Sequence, residues 1–152
     1  MSGYTFRLAH LERTPLKVGQ TVRRGDPIGR MGNTGQSTGA HGHIDVVKGC
    51  QSWMYRLQNI YAGNPIPAFR ELHFFIDDEL TGGKPFRITT HVYDHRYVIG
   101  GKWKPHPAYD IVIDDPNPEF YWNRSFEGTV IASAFDRGYG NYVQIHYEGV
   151  LI

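Results

Sequence analysis

At 152 residues with a formal net charge of +1, the chain has the length of one domain and carries no basic or acidic run, which argues against electrostatic capture of nucleic acid or of an anionic membrane. Cys50 is its one cysteine, so no internal disulfide forms, and no apolar stretch approaches the ~20 residues needed for membrane insertion. Abundant Tyr, Phe and Gly (10, 8 and 18 residues) suit short strands joined by tight turns, and a mostly β, single-domain chain spanning residues 1–152 is expected.

The opening stretch MSGYTFRLAHLERT lacks the basic start and apolar core of a signal peptide, so an indirect route out of the producing cell is expected. Residues 4–11 alternate Tyr, Phe, Leu and His with Thr, Arg and Ala, the period of a half-buried strand. In LKVGQTVRRGDPIGRMGNTG, glycines punctuate very short apolar pieces, which predicts tight turns and close backbone approach. A further strand is predicted over residues 42–47. Residues 51–83 differ in character: SWMYRLQNIYAG suits a short amphipathic helix or turn, NPIPAF a Pro-interrupted link, and ELHFFIDDEL one strand or helix before TGG. Strands resume over residues 86–93, 109–113, 128–134 and 141–147, with DDPNPE and DRGYGN as turns.

Two clusters carry chemistry. In GAHGHIDV, His41 and His43 stand two apart in a predicted strand, so both imidazoles leave the same face of a sheet. In KPHPAYDIVI, His106 and Asp110 stand four apart around a proline, where a loop enters a strand. Imidazole and carboxylate donors suit zinc, and three protein ligands with a position left for water form a catalytic arrangement. His10 in FRLAHLER is the best remaining candidate for a general base or transition-state stabiliser. Each histidine also has a plainer reading, since lone strand histidines are commonly hydrogen-bonded surface residues and an HxH pair also occurs in cupin-like barrels. His73 and His146 read as structural, whereas His91, Tyr93, His95 and Arg96 stand close enough to the second cluster to line a cleft and steady an oxyanion.

Residues 8–46, LAHLERTPLKVGQTVRRGDPIGRMGNTGQSTGAHGHIDV, resemble the second half of lysostaphin/LytM-type zinc endopeptidases, whose pattern runs Tyr-Ala-His-Leu, Val-Gly-Gln-x-Val-x-x-Gly and Gly-x-Thr-Gly-x-Ser-Thr-Gly-Pro-His-Leu-His. Residues 85–113 look like the first half, with HPAYD where the family has His-Pro-Gly-x-Asp, and residues 128–149 resemble the piece that follows. Family order is thus reversed, and the resemblance implies a circular permutant. Residues 1–47 would be the family's second half, residues 48–84 a short irregular or helical connector, and residues 85–152 the first half. Cutting at one surface turn and joining the old ends elsewhere is physically reasonable. The permutation predicts residues 4–10 and 141–147 as antiparallel neighbours.

The resemblance implies an antiparallel β-sheet or sandwich of the lysostaphin-type peptidase fold. It places His43, His106 and Asp110 on the Zn2+ ligands, and His41 and His10 on the two catalytic histidines. It implies hydrolysis of peptide bonds in peptidoglycan stem peptides or cross-bridges, held in a narrow groove. Departures are Ala40 for Pro, Gly42 for Leu, Ala108 for Gly, and VYDHR standing loosely for the FG-x-R element. A small Gly42 is expected to widen the groove floor. With no signal peptide, a bacteriophage virion or lysis enzyme working at the target wall, with other phage tail proteins as partners, is expected. The alternatives are a non-catalytic wall-binding or tail structural module of the same fold, a lipoyl-type carrier, or an excerpt spanning parts of two domains. A carrier needs a lysine at a hairpin tip, and GRMGNTG has none.

Overall fold

The structure, a computed structural model, describes residues 3–92 and 94–149, with residues 95–97 and 99 described by their backbone alone. Strands β1 (Tyr4–Arg13), β2 (Thr21–Val22), β3 (Pro27–Met31) and β4 (Gly42–Lys48) come first. Helices α1 (Leu57–Tyr61) and α2 (Phe69–Phe74) and a 3-10 turn (Asp78–Thr81) follow. Then come β5 (Phe86–Thr90), β6 (His95–Ile99), β7 (Lys102–Pro105), β8 (Tyr109–Ile113), β9 (Glu119–Tyr121), β10 (Gly128–Asp136) and β11 (Gly140–Tyr147). The main sheet runs β2-β10-β11-β1-β4-β8-β5, with β3 pairing β1 and β9, while β6 and β7 form a separate hairpin. All its pairings are antiparallel, so the mostly β, antiparallel expectation holds. No helix among the described residues is long and apolar enough to cross a membrane.

Residues 4–8 of β1 pair with residues 143–147 of β11, as Tyr4 with Tyr147 and Leu8 with Val143. The first and last strands therefore lie side by side at the centre of the sheet. Period two sorts β1 and its neighbours into two faces. Phe6 and Leu8, opposite Val46 and Ile44 on β4, join Ile111, Val143 and Ile145 in the main apolar core, closed by Leu72, Phe75, Phe120 and Trp122.

The other face was expected to be half-buried and open, and here the structure corrects the sequence reading. Thr5, Arg7 and Ala9 are as fully buried as their apolar neighbours. The cover comes from residues 48–84, which lie on both faces of the sheet. Met54, Tyr55, Leu57 and Ile60 pack on the Thr5–Arg7–Ala9 side, and Leu72, Phe75 and Leu80 on the main core. Between the two, residues 66–68 run along β4 beyond the reach of β8, with Lys48 N–H donating to the Ile66 carbonyl and Ala68 N–H to that of Val46. That pairing covers an edge otherwise open to foreign strands. The expected strand over residues 86–93 stops at Thr90, and Tyr93 lies outside the described residues.

Gly42 does not widen a groove floor. It alternates with His41 and His43 and so faces the core, where an added Cβ would come within 2.5 Å of the Phe120 ring and 3.3 Å of Leu8. The glycine makes room for an aromatic beneath β4. Gly42→Leu is expected to lower stability by ~1–3 kcal/mol through overpacking, measured as a lower urea midpoint. An unchanged midpoint would contradict this packing.

Candidate metal centre

Register brings the first two donors together. His43 on β4 pairs directly with Asp110 on β8, and directly opposed residues of an antiparallel pair share one face of the sheet. His43 Nδ1 lies 3.3 Å from Asp110 Oδ1. The loop entering β8 contributes His106, whose Nδ1–H donates to the Ala108 carbonyl at 2.7 Å and whose Nε2 lies 3.7 Å from Asp110 Oδ2. One donor atom from each of His43, His106 and Asp110 falls within 4.8 Å of the others. The set fits a divalent cation on two counts. It offers two nitrogens and a carboxylate, a donor mix that zinc accepts, and the buried Asp110 Oδ1 has no hydrogen-bond partner among the described residues.

His41 and His10 flank the set. His41 precedes β4, bridges to Gly32, donates from Nδ1 to the Gly39 carbonyl at 2.8 Å and places Nε2 3.9 Å from Asp110 Oδ1. His10 sits where β1 bulges away from β11, with φ +63, a left-handed backbone that non-glycine residues rarely adopt. Its N–H donates to the Tyr139 carbonyl and its Nδ1–H to that of Thr34, both at 2.7 Å. Rings of His10 and His41 stand 4.7 Å apart, and those of His10 and His43 6.2 Å. Both flanking imidazoles thus have Nδ1 tied to main chain, which leaves Nε2 as the acceptor. The loop carrying Thr34 is held by backbone packing, since a Cβ on Gly35 would collide with Gly140. A cleft of about 440 Å³ runs past His41, His106 and Asp110, and a second of about 360 Å³ lies between His10, α1 and Val98. The two share His10, Gln36 and His43.

A polar row that the sequence reading did not pick out lies behind His43. His43 Nε2–H donates to Asp45 Oδ2 at 2.9 Å. Arg7, directly opposite Asp45 on β1, donates to that same oxygen from Nε (3.0 Å) and Nη2 (2.8 Å). The Tyr55 hydroxyl donates to Asp45 Oδ1 at 2.7 Å. Arg7, Asp45 and Tyr55 are completely buried, and the guanidinium lies between the rings of Tyr55 and Tyr139 at 3.9 and 4.0 Å. Period two, carried one step past His43, would have pointed to Asp45, but no local signal points to Tyr55. Of the secondary candidates, His91 is exposed with its ring against Tyr109. Tyr93 and the side chains of His95 and Arg96 lie outside the described residues.

Residues 1–54 match the family model of Peptidase family M23. That stretch holds His10, His41 and His43, while His106 and Asp110 fall beyond it. The chain is 46% identical over 44 residues to the peptidoglycan DD-endopeptidase ShyA of Vibrio cholerae, which covers 29% of this chain and 10% of that protein. It is 44% identical over 43 residues to an uncharacterized metalloprotease of Buchnera aphidicola, covering 28% and 11%. The matched stretch spans about a tenth of the length of these relatives. No solved structure matches the chain.

Burial alone would favour a neutral His43, but the carboxylates of Asp110 and Asp45 override it and raise its pKa to about 9 in the metal-free protein. Burial likewise opposes ionisation of Asp45, yet Arg7 and His43 lower it to about 2. Asp110 is held well below the ordinary carboxylate range against its own burial, chiefly by His43. His10 moves the other way, to about 4, because burial outweighs its hydrogen bond to Thr34.

The raised His43 pKa contributes stability that is full below 6.5 and is lost as pH rises through about 9. The lowered His10 pKa withdraws stability as pH falls from 6.5 towards about 4, where the unfolded chain binds a proton that the folded one refuses. Metal-free protein is therefore expected to be most stable near pH 6.5 in urea unfolding followed across pH. His43→Gln should remove the alkaline limb, and His10→Gln the part of the acid limb between pH 6.5 and about 4, leaving the further loss from Asp45 and Asp110 at lower pH. A monotonic profile would contradict this assignment.

Proposed function

We propose that the protein is a zinc-dependent endopeptidase that hydrolyses peptide bonds in peptidoglycan stem peptides or cross-bridges. The observation that carries this reading is the convergence of His43, His106 and Asp110 donor atoms within 4.8 Å, beside two further histidines in a cleft. The peptidase assignment draws on the match of residues 1–54 to Peptidase family M23. The substrate class draws on the peptidoglycan DD-endopeptidase activity of the Vibrio cholerae relative.

His43, His106 and Asp110 would hold the zinc. A zinc ion there would supply Lewis-acid polarisation of the scissile carbonyl and lower the pKa of water. His41 and His10, with Nδ1 fixed on the Gly39 and Thr34 carbonyls, present Nε2 as the acceptor for the proton of attacking water. After accepting it, the same nitrogen can donate to the leaving amine, and the partner histidine, when protonated at Nε2, donates to and steadies the tetrahedral oxygen. Retention of both flanking histidines around the donor set favours an enzyme over a wall-binding or tail structural module of the same fold.

We further propose that residues 1–152 form one permuted domain. Support comes from the family match at the N-terminal end and from β1 lying beside β11, so that the strand expected to precede β1 in family order comes last in this chain. A role in a phage virion or in lysis, beside other tail proteins at the target wall, belongs to the same proposal.

Purified protein is expected to carry about one zinc per chain and to release soluble muropeptides from peptidoglycan, read by elemental analysis and mass spectrometry. His43→Ala should lose both. His10→Ala and His41→Ala should keep the metal and lose turnover by ~10²–10⁴-fold. Full zinc content in His43→Ala would defeat the ligand assignment, and unchanged turnover in the other two would defeat their roles.

A further inference from the structure

In the permuted domain proposed above, residues 48–84 join the two halves of the fold. Their contacts give them a second role. The segment reaches neighbours of the donor set through two side chains six residues apart, Tyr55 and Tyr61. At the first, the Tyr55 hydroxyl donates to Asp45 Oδ1 at 2.7 Å, and Asp45 Oδ2 accepts from His43 Nε2 at 2.9 Å. At the second, the Tyr61 hydroxyl donates at 2.7 Å to the carbonyl of Pro105, the residue before His106. From these contacts we infer that the connector clamps the metal centre: Tyr55, through Asp45, fixes the ring of His43, and Tyr61 fixes the loop that carries His106.

The chemistry of Asp45 makes the first contact consequential. Its Oδ2 takes donors from His43 and Arg7, but among the described residues Tyr55 alone serves Oδ1. Asp45 and Tyr55 are both fully buried, so water does not readily replace a missing hydroxyl. Without it the carboxylate loses the contact that sets its plane, and with that the hydrogen bond that turns Nδ1 of His43 towards Asp110. Carboxylates behind a ligating imidazole act in this way, fixing tautomer and ring direction.

Three further contacts hold the clamp itself in place. Arg7 Nη1 donates to the Tyr55 carbonyl at 2.6 Å, the Arg7 guanidinium packs on the Tyr55 ring, and Arg56 pairs with Asp136 at 2.9 Å. Tyr55 and Tyr61 are positioning residues, not catalytic ones, since each acts through another group. The inference rests on the metal-centre reading above and adds that the connector sets the affinity of that centre.

The experiment measures Zn2+ affinity of the full chain by competition with a chromogenic chelator, together with the visible absorption spectrum of the Co2+-loaded protein. Tyr55→Phe keeps the ring and removes one hydroxyl, and is expected to weaken Zn2+ binding about tenfold, the lower end of the ~10–100-fold typical of such outer groups, and to alter the Co2+ spectrum. Tyr61→Phe should act in the same direction. Asp45→Asn breaks the same relay at its middle and should lose at least as much, while Tyr61→Phe, which leaves the buried Arg7–Asp45 pair intact, keeps the test decisive if Tyr55→Phe or Asp45→Asn does not fold. Tyr121→Phe, beside Gly82 in a separate pocket, should bind Zn2+ as the parent does. Parent protein that binds Zn2+ while Tyr55→Phe and Tyr61→Phe stay within about twofold of it overturns the clamp alone, given the ~10-fold minimum expected. Parent protein that binds no Zn2+ overturns the metal centre, and the clamp with it.

Discussion

Antiparallel pairing of β4 with β8 sets His43 directly opposite Asp110 and turns both side chains to the same face of the sheet. A slip of β8 by one residue in that register would turn Asp110 into the apolar core and bring Ile111 to the cleft, parting the two donors. The core itself guards against the slip, because Ile44, Val46, Ile111 and Ile113 are buried on the far face. The apolar pattern of the strands is therefore also what aims the donors. Around this fixed pair the remaining groups are local additions: His106 from the loop before β8, His41 two residues before His43, and His10 from a bulge in β1.

Aiming two imidazoles and a carboxylate at one point leaves a charge problem behind the site. Asp45 lies in the same buried row as His43, and an isolated buried carboxylate is costly. Arg7, opposite it on β1, supplies the compensating charge and is itself covered by the rings of Tyr55 and Tyr139. A buried ion pair of this kind contributes little net stability, yet removing one partner leaves the other uncompensated. The row also explains why the inner face of β1 is sealed. Arg7 and Asp45 pair out of contact with water, and residues 54–61 provide the cover. Sheet, ion pair and connector are thus one mechanical unit with the donor set.

Much of this was legible in the sequence because the relevant periods are short. The spacing of two between His41 and His43 placed both at the cleft, and the spacing of four from His106 to Asp110 brought those side chains to 3.7 Å of each other. The same period of two, carried one step on, would have marked Asp45 as lying behind His43 and Gly42 as facing the core, where it accommodates Phe120. Contacts set by tertiary packing alone were not legible. Nothing around Tyr55 or Tyr61 signals that their hydroxyls end near the donor set, and SWMYRLQNIYAG reads as an ordinary short helix. The alternation in β1 suggested a half-exposed strand because Thr5 and Arg7 are polar, and only the connector folded over them makes both buried. The left-handed backbone of His10 also has no sequence signature, since it follows from the bulge between β1 and β11.

The account stands on one ion held by three side chains from β4, β8 and the loop between β7 and β8. X-ray absorption at the zinc edge, combined with anomalous diffraction from zinc-loaded crystals, tests it most directly. The expected result is a single zinc with two imidazole nitrogens and one carboxylate oxygen at ~2.0–2.2 Å, lying between His43 Nδ1, His106 Nε2 and Asp110. An anomalous peak elsewhere on the chain, or a coordination shell lacking imidazole, would contradict it.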